Sequence, residues 1–202
     1  RLAGVYDELW VNFPVKILNA AKVNDHLKVV DEQIGTPSSA DFISKFVSQF
    51  VMKKYLDNCS DHQNIYNLVP NGSSSWFEFA KFLLDRAEQA GFKLKCKSKD
   101  VIPITSGQIN QLAKRPRKVI LANEKIQNFL GTDFAHWQVG ADKFIRQIKR
   151  RWNAVQRDFA CGGIRKAASP YNLSCFKTTS ASIWQADDIL SIVRSYARRN
   201  KG

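Results

Sequence analysis

An α/β fold is the architecture that this sequence of 202 residues predicts, on three observations. Stretches of helical periodicity alternate along the chain with short, β-branched runs. Pro and Gly fall at the joins rather than inside the periodic stretches. Hydrophobic residues make up 44% of the chain, and no window approaches 18 consecutive apolar residues, so the apolar content belongs to a packed core and not to a membrane span.

The elements follow in order. Asn12 to Lys22 places Phe13, Ile17, Leu18 and Ala21 at helical spacing, with Pro14 tolerated in the first turn. Leu27–Val30 reads as a short strand. Ser39 to Tyr55 carries Phe42, Ile43, Phe46, Val47, Phe50 and Val51 as an amphipathic helix that Ser39 caps. Ile65–Val69 reads as a strand stopped by Pro70-Asn71-Gly72. Ser75 and Glu78 have capping-box spacing for a helix that runs to Ala90 and stops at Gly91. Val101–Ile104 is extended, because Pro103 disfavours helix at Ile102. Lys118 to Leu121 is a further strand, and Asn123–Leu130 and Trp137–Arg150 are helices.

Charge is unevenly placed. The formal net charge is +13, but residues 146–202 hold 12 basic and 3 acidic side chains, against 19 and 15 in residues 1–145. The opening RLAGVYDELW lacks a charged region followed by an apolar run, so no signal peptide is expected. Cys59, Cys96, Cys161 and Cys175 stand far apart and read as reduced thiols of a cytoplasmic protein. His26, His62 and His136 form no metal-binding pair at helical spacing. The ten glycines include no G-x-G-x-x-G, and no Walker motif or G-x-S-x-G is present. None of the five tyrosines has a lysine four places on. No self-contained catalytic constellation is visible.

The order of short motifs carries more. Asp31-Glu32-Gln33-Ile34-Gly35-Thr36-Pro37-Ser38-Ser39-Ala40 is followed by Ile65-Tyr66-Asn67 and then by Gly72-Ser73-Ser74-Ser75-Trp76-Phe77-Glu78-Phe79-Ala80. Ile102-Pro103-Ile104-Thr105-Ser106 comes next, then Ala113-Lys114-Arg115-Pro116, Leu121 and Lys125, and finally Trp137-Gln138-Val139-Gly140. In this order and spacing the segments resemble the C-terminal half of the dTDP-4-dehydrorhamnose reductase family, over about residues 1–147.

The resemblance implies a partial Rossmann-type sugar-nucleotide reductase, mostly its substrate-binding lobe. Residues 148–202 are then a basic tail, poorly ordered or helical, outside the family. Such enzymes reduce the C4 ketone of dTDP-4-dehydro-L-rhamnose with NADPH or NADH, for dTDP-rhamnose and surface polysaccharide (O-antigen). Mg2+ is possible in the family, and a homodimer is a possible assembly. Their Gly-rich cofactor turn and Tyr-x-x-x-Lys pair belong to an N-terminal half not found in this sequence, so this chain alone is expected neither to bind the cofactor nor to transfer hydride. The expected partners are a dTDP-sugar nucleotide and a separate Rossmann half. Carried onto this chain, the substrate-binding candidates are Tyr6, Asn12, Gln33 and Arg115, the last because a guanidinium suits phosphate oxygens. Gly4 stands where the family's pattern has a Trp that lines the sugar pocket. Two other readings remain: a non-enzymatic accessory module with a reductase-like fold, and nucleic-acid binding through the basic tail, disfavoured because no base-reading motif is present.

Overall fold

The computed structural model describes residues 1–8, 12–56, 65–109 and 115–160, of which 152–160 are described as helix backbone only. The elements are β1 (Val5–Tyr6), α1 (Phe13–Val23), β2 (Leu27–Val30), β3 (Ile34–Gly35), β4 (Ser38–Ser39), α2 (Ala40–Leu56), β5 (Ser74–Ser75), α3 (Trp76–Gln89), β6 (Val101–Ile104), β7 (Lys118–Val119), α4 (Glu124–Leu130) and α5 (Trp137–Ala160). The architecture is α/β, as expected. The sheets are small: β1 pairs with β4 in parallel, β2 with β6 in parallel, and β3 lies between antiparallel β5 and parallel β7.

Local chemistry sets the helix starts. Asn12 Oδ1 accepts from the Val15 N–H at 3.3 Å, and Pro14 occupies the first turn of α1, where its missing N–H costs nothing. Ser75 and Glu78 form the reciprocal capping box of α3, each side chain accepting from the other's backbone N–H at 3.0 Å. Gly91, at φ +78, ends that helix in the left-handed region. Ser39 Oγ accepts from the Phe42 N–H at the start of α2.

Two apolar clusters hold the elements together. The larger packs α1, α3 and α5 over β2 and β6, through Val15, Leu18, Leu83, Leu84, Phe144 and Ile145. Its centre is aromatic: Phe79, 1% exposed, lies against the rings of Tyr6, Phe13, Trp76 and Trp137. The smaller gathers Phe46, Leu68, Ile126 and Phe134 beneath α2 and α4.

Residues 65–69 are a correction: no strand forms there. The Leu68 N–H donates to Arg1 O, and Asn71 makes a single β-bridge with His136, so the segment is tied by isolated bonds rather than by a ladder. Leu68 and Val69 are both buried. Consecutive burial suits an extended segment wedged between packed layers better than a strand with one wet face. A polar knot secures it. Asn123 Nδ2 donates to Val69 O and Asn71 Oδ1, both at 2.9 Å. Asn71 Nδ2 donates to Phe134 O, and the Phe134 N–H donates to Gln127 Oε1.

Lys22, in the last turn of α1, works against this packing. Burial lowers its pKa from 10.5 to about 8. The unfolded chain then binds the proton more tightly than the folded one between about pH 8 and 10.5, so stability rises with pH across that window. Lys22→Met is expected to gain about 1 kcal/mol at pH 7, after allowance for solvent screening and for the lost bond to Asn19 Oδ1. Urea titrations at pH 7 and pH 10 check it: a gain of equal size at both pH values contradicts the cause.

Candidate functional site

A cleft of about 290 Å³ opens where β3 meets the starts of β5 and α3. Ile34, Gly35 and Thr36 line it, and so does the Leu2–Gly4 segment. Trp76, the first residue of α3, lines it as well, with its ring tilted against that of Phe13 at 4.5 Å between centroids. Arg115, Pro116 and Val119, which lead into and form β7, close the rim. The pairing of β7 with β3 through Ile34 and Lys118 is what brings Arg115 to this place.

Gly4 makes the cleft possible. Its φ is +57, and a Cβ there would lie 2.5 Å from the Thr36 carbonyl oxygen. The close approach is locked by the Ser38 N–H, which donates to Gly4 O at 3.0 Å. The Trp implied by the resemblance has no room at this position in this backbone. Gly4→Ala is expected to cost about 1–2 kcal/mol from the left-handed conformation alone, and more from the contact with Thr36. A denaturation midpoint equal to that of the parent contradicts it.

The four candidates separate. Gln33 and Arg115 both line the cleft. Gln33 is 6% exposed, and its Nε2 has no hydrogen-bond partner among the described residues. A buried amide donor without an acceptor costs about 1–3 kcal/mol, and the Tyr6 hydroxyl and Trp137 Nε1 in the core are left in the same state. Tyr6 and Asn12 lie elsewhere. Tyr6 is 3% exposed in the core, 5.4 Å from the Phe144 ring, and burial raises the pKa of its phenol above the usual value. Asn12 donates from Nδ2 to Asp7 O at 2.6 Å while capping α1. Neither belongs to the cleft wall, because β1 buries one side chain inward at Tyr6 and α1 takes Asn12 for its cap.

Sequence reasoning passed over Ser74, which also lines the cleft. Its position directly before the capping box was the available signal. Trp76 both packs and lines the cleft. The nearby cations divide. Arg117 Nη2 lies 3.8 Å from Glu32 Oε2, and Glu32 is held ionised below the usual carboxylate range by the Ser106 hydroxyl and N–H, with a smaller push from Arg117. Arg115 faces the cleft.

A dinucleotide asks for a Gly-rich strand-to-helix turn with unoccupied N–H groups. The described turns do not fit one. At the start of α3, Glu78 fills the capping box and Asp31 Oδ1 accepts from Ser75 Oγ at 2.6 Å, setting two carboxylates where a pyrophosphate would lie. At α2, Ser39 occupies the cap and Asp41 the first turn. No group of three His, Cys, Asp or Glu among the described residues is placed to hold a metal ion. No helix among them is long and apolar enough to cross a membrane.

The family model described as "RmlD substrate binding domain" matches residues 1–150. This chain belongs to that family. The matched stretch contains every described element up to most of α5, and the cleft lies wholly inside it. The RmlD domain is also similar to dTDP-4-dehydrorhamnose reductases. It is 26% identical to the one from Escherichia coli (strain K12) over 148 residues, 73% of this chain and 48% of that protein. It is 29% identical to the one from Sinorhizobium fredii over 146 residues, 72% of this chain and 48% of that protein. The chain thus spans about half the length of these relatives, and the match falls on their C-terminal half.

Solved structures agree on the fold of the RmlD domain. The dTDP-4-dehydrorhamnose reductase of Bacillus anthracis, in complex with NADP, superposes with a TM-score of 0.61 at 22% identity, over 73% of this chain and 47% of that one. The enzyme of Clostridium acetobutylicum gives 0.59 at 25% identity, over 74% and 48%.

Proposed function

We propose that residues 1–150 grip a dTDP-linked 4-dehydro sugar, as the substrate-binding half of a dTDP-4-dehydrorhamnose reductase. The observation that carries the reading is the cleft lined by both Gln33, buried with an unsatisfied amide donor, and Arg115 at its rim. Arg115 supplies a planar, permanently charged fork suited to the diphosphate. Gln33 offers its amide to a carbonyl or hydroxyl oxygen of the ligand, and the Trp76 face gives apolar cover to a ring. Tyr6 and Asn12 support this arrangement from behind, one by packing and one by capping α1.

Reduction of the C4 ketone needs a hydride donor and a proton donor. In this reading both come from a dinucleotide-binding half, and the 202-residue chain by itself does not consume NADPH. The role belongs to the cytoplasmic synthesis of dTDP-rhamnose for surface polysaccharide.

Thermal unfolding with and without dTDP tests the grip. A ligand that binds only the folded state at about 100 times its Kd stabilises by about 2.7 kcal/mol, a rise of about 5–10 °C for a domain of this size. No rise with dTDP at millimolar concentration refutes the grip. NADPH oxidation above blank in the presence of dTDP-4-dehydrorhamnose refutes the division of labour.

A further inference from the structure

We infer that Arg117 is a second anion-binding arm of the cleft, tethered to Glu32 and drawn to the second phosphate when a diphosphate is bound. The inference rests on the nucleotide-sugar reading and adds to it the residue that tells a diphosphate from a monophosphate. Arg117 follows Arg115 and Pro116, which line the cleft, and comes shortly before Val119, which lines it too. Its carbonyl accepts from the N–H of Ile34, another lining residue, at 2.8 Å. The pairing of β7 with β3 holds the backbone beside it, so the side chain springs from the rim and is 81% exposed. Two steps of chain separate the stems of Arg115 and Arg117 by no more than about 7 Å, a gap that two long side chains close. Arg115 is the one cation lining the cleft among the described residues. A diphosphate carries negative charge on both phosphates, and one guanidinium fork spans the oxygens of one of them.

The tether is loose enough to let go. Arg117 Nη2 lies 3.8 Å from Glu32 Oε2, beyond hydrogen-bond length, whereas the ion pairs of Arg86, Lys97 and Lys143 close to 3.0, 2.7 and 2.6 Å. An exposed pair of that length adds little to the fold, so breaking it costs little. Glu32 does not depend on Arg117. Its Oε1 accepts from both the N–H and the hydroxyl of Ser106, and those bonds do most to hold its carboxyl below the usual range, with Arg117 adding less. When Arg117 leaves, the carboxylate keeps both Ser106 bonds and is not stranded. Glu32 thus keeps the arm beside the cleft without competing strongly with a phosphate for it.

Calorimetric titration of the 202-residue chain with dTDP and with dTMP tests it. Arg117→Ala is expected to weaken dTDP by about 5- to 10-fold and dTMP by less than about 2-fold. Glu32→Gln leaves an acceptor for Ser106 but unties the arm, and is expected to tighten dTDP by about 2- to 3-fold. That gain is expected to vanish in the Arg117→Ala background, because the two residues act through one pair. Lys118→Ala removes the next exposed cation and is expected to bind dTDP within about 2-fold of the parent. Arg117→Ala that loses dTDP and dTMP equally, or loses neither, overturns the inference. So does Lys118→Ala that weakens dTDP as much, Glu32→Gln that binds dTDP no tighter than the parent, or a Glu32→Gln gain that persists without Arg117. In all of those cases a parent that binds dTDP, and loses it on Arg115→Ala, leaves the nucleotide-sugar reading standing. A parent that binds neither nucleotide overturns both.

Discussion

Phe79→Ala is expected to destabilise the protein by about 3–5 kcal/mol, a large share of the stability of a domain this size. The side chain is 1% exposed and sits at the meeting point of four other aromatic rings, with centroid distances of 5.5 Å to Tyr6, 5.8 Å to Phe13, 6.4 Å to Trp76 and 5.4 Å to Trp137. Those rings come from β1, α1, α3 and α5, so no single element can move in to fill the hole. The loss therefore carries both the transfer free energy of the ring and the cost of an unfilled cavity. Trp76 also lines the cleft, so the same change loosens one of its walls. Urea denaturation followed by tryptophan fluorescence measures the effect. A loss under about 1 kcal/mol would mean that the cluster collapses around the gap, and that the aromatic centre is not what holds these four elements in place.

Arg115→Ala is expected to weaken dTDP binding by about 10- to 100-fold, the range for removing a charged partner from a phosphate. Arg115→Lys is expected to recover only part of that loss, because an ammonium keeps the charge without the bidentate fork. The residue is exposed at the cleft rim, so neither change is expected to alter the unfolding midpoint of the unliganded chain. Calorimetric titration with dTDP separates the two effects. Equal affinity for the parent and Arg115→Ala would remove the diphosphate from this rim, while leaving Gln33 as a separate test of the cleft.

Much of the fold was legible because its signals were local. The Ser75/Glu78 spacing, Asn12 before Phe13-Pro14, and Gly91 after Ala90 each act within one helical turn, and each stands where the pattern placed it. The segment 65–69 reads as a strand by its apolar run, whereas its hydrogen-bond partners, Arg1, Ala122 and Asn123, come from far away in the sequence. The site was legible in part for the same reason. Gln33 and Arg115 were singled out within short motifs, and pairing of β3 with β7 unites them. Tyr6 and Asn12 stand in the same kind of pattern, but their orientations depend on which neighbours bury them, and spacing does not show that. The requirement for glycine at residue 4 is equally hidden: it comes from the carbonyl of Thr36, 32 positions away. Residues 161–202 of the basic tail, expected to be poorly ordered or helical, lie outside the described residues.

The Asn71 knot links chain stretches that are 52 and 63 positions apart. The Phe134 amide donates to Gln127 Oε1, only seven positions back, and Gln127 Nε2 in turn donates to Asn123 Oδ1 at 2.9 Å, so the knot braces its acceptor. That proton should exchange with deuterium as fast as the knot opens locally, ahead of the amides in the middle of α3. Asn123→Ala should bring its exchange forward while leaving the amides in the middle of α3 slow. The knot thus works as a timing device, making the loop before α5 report on how firmly Asn71 and Asn123 hold together.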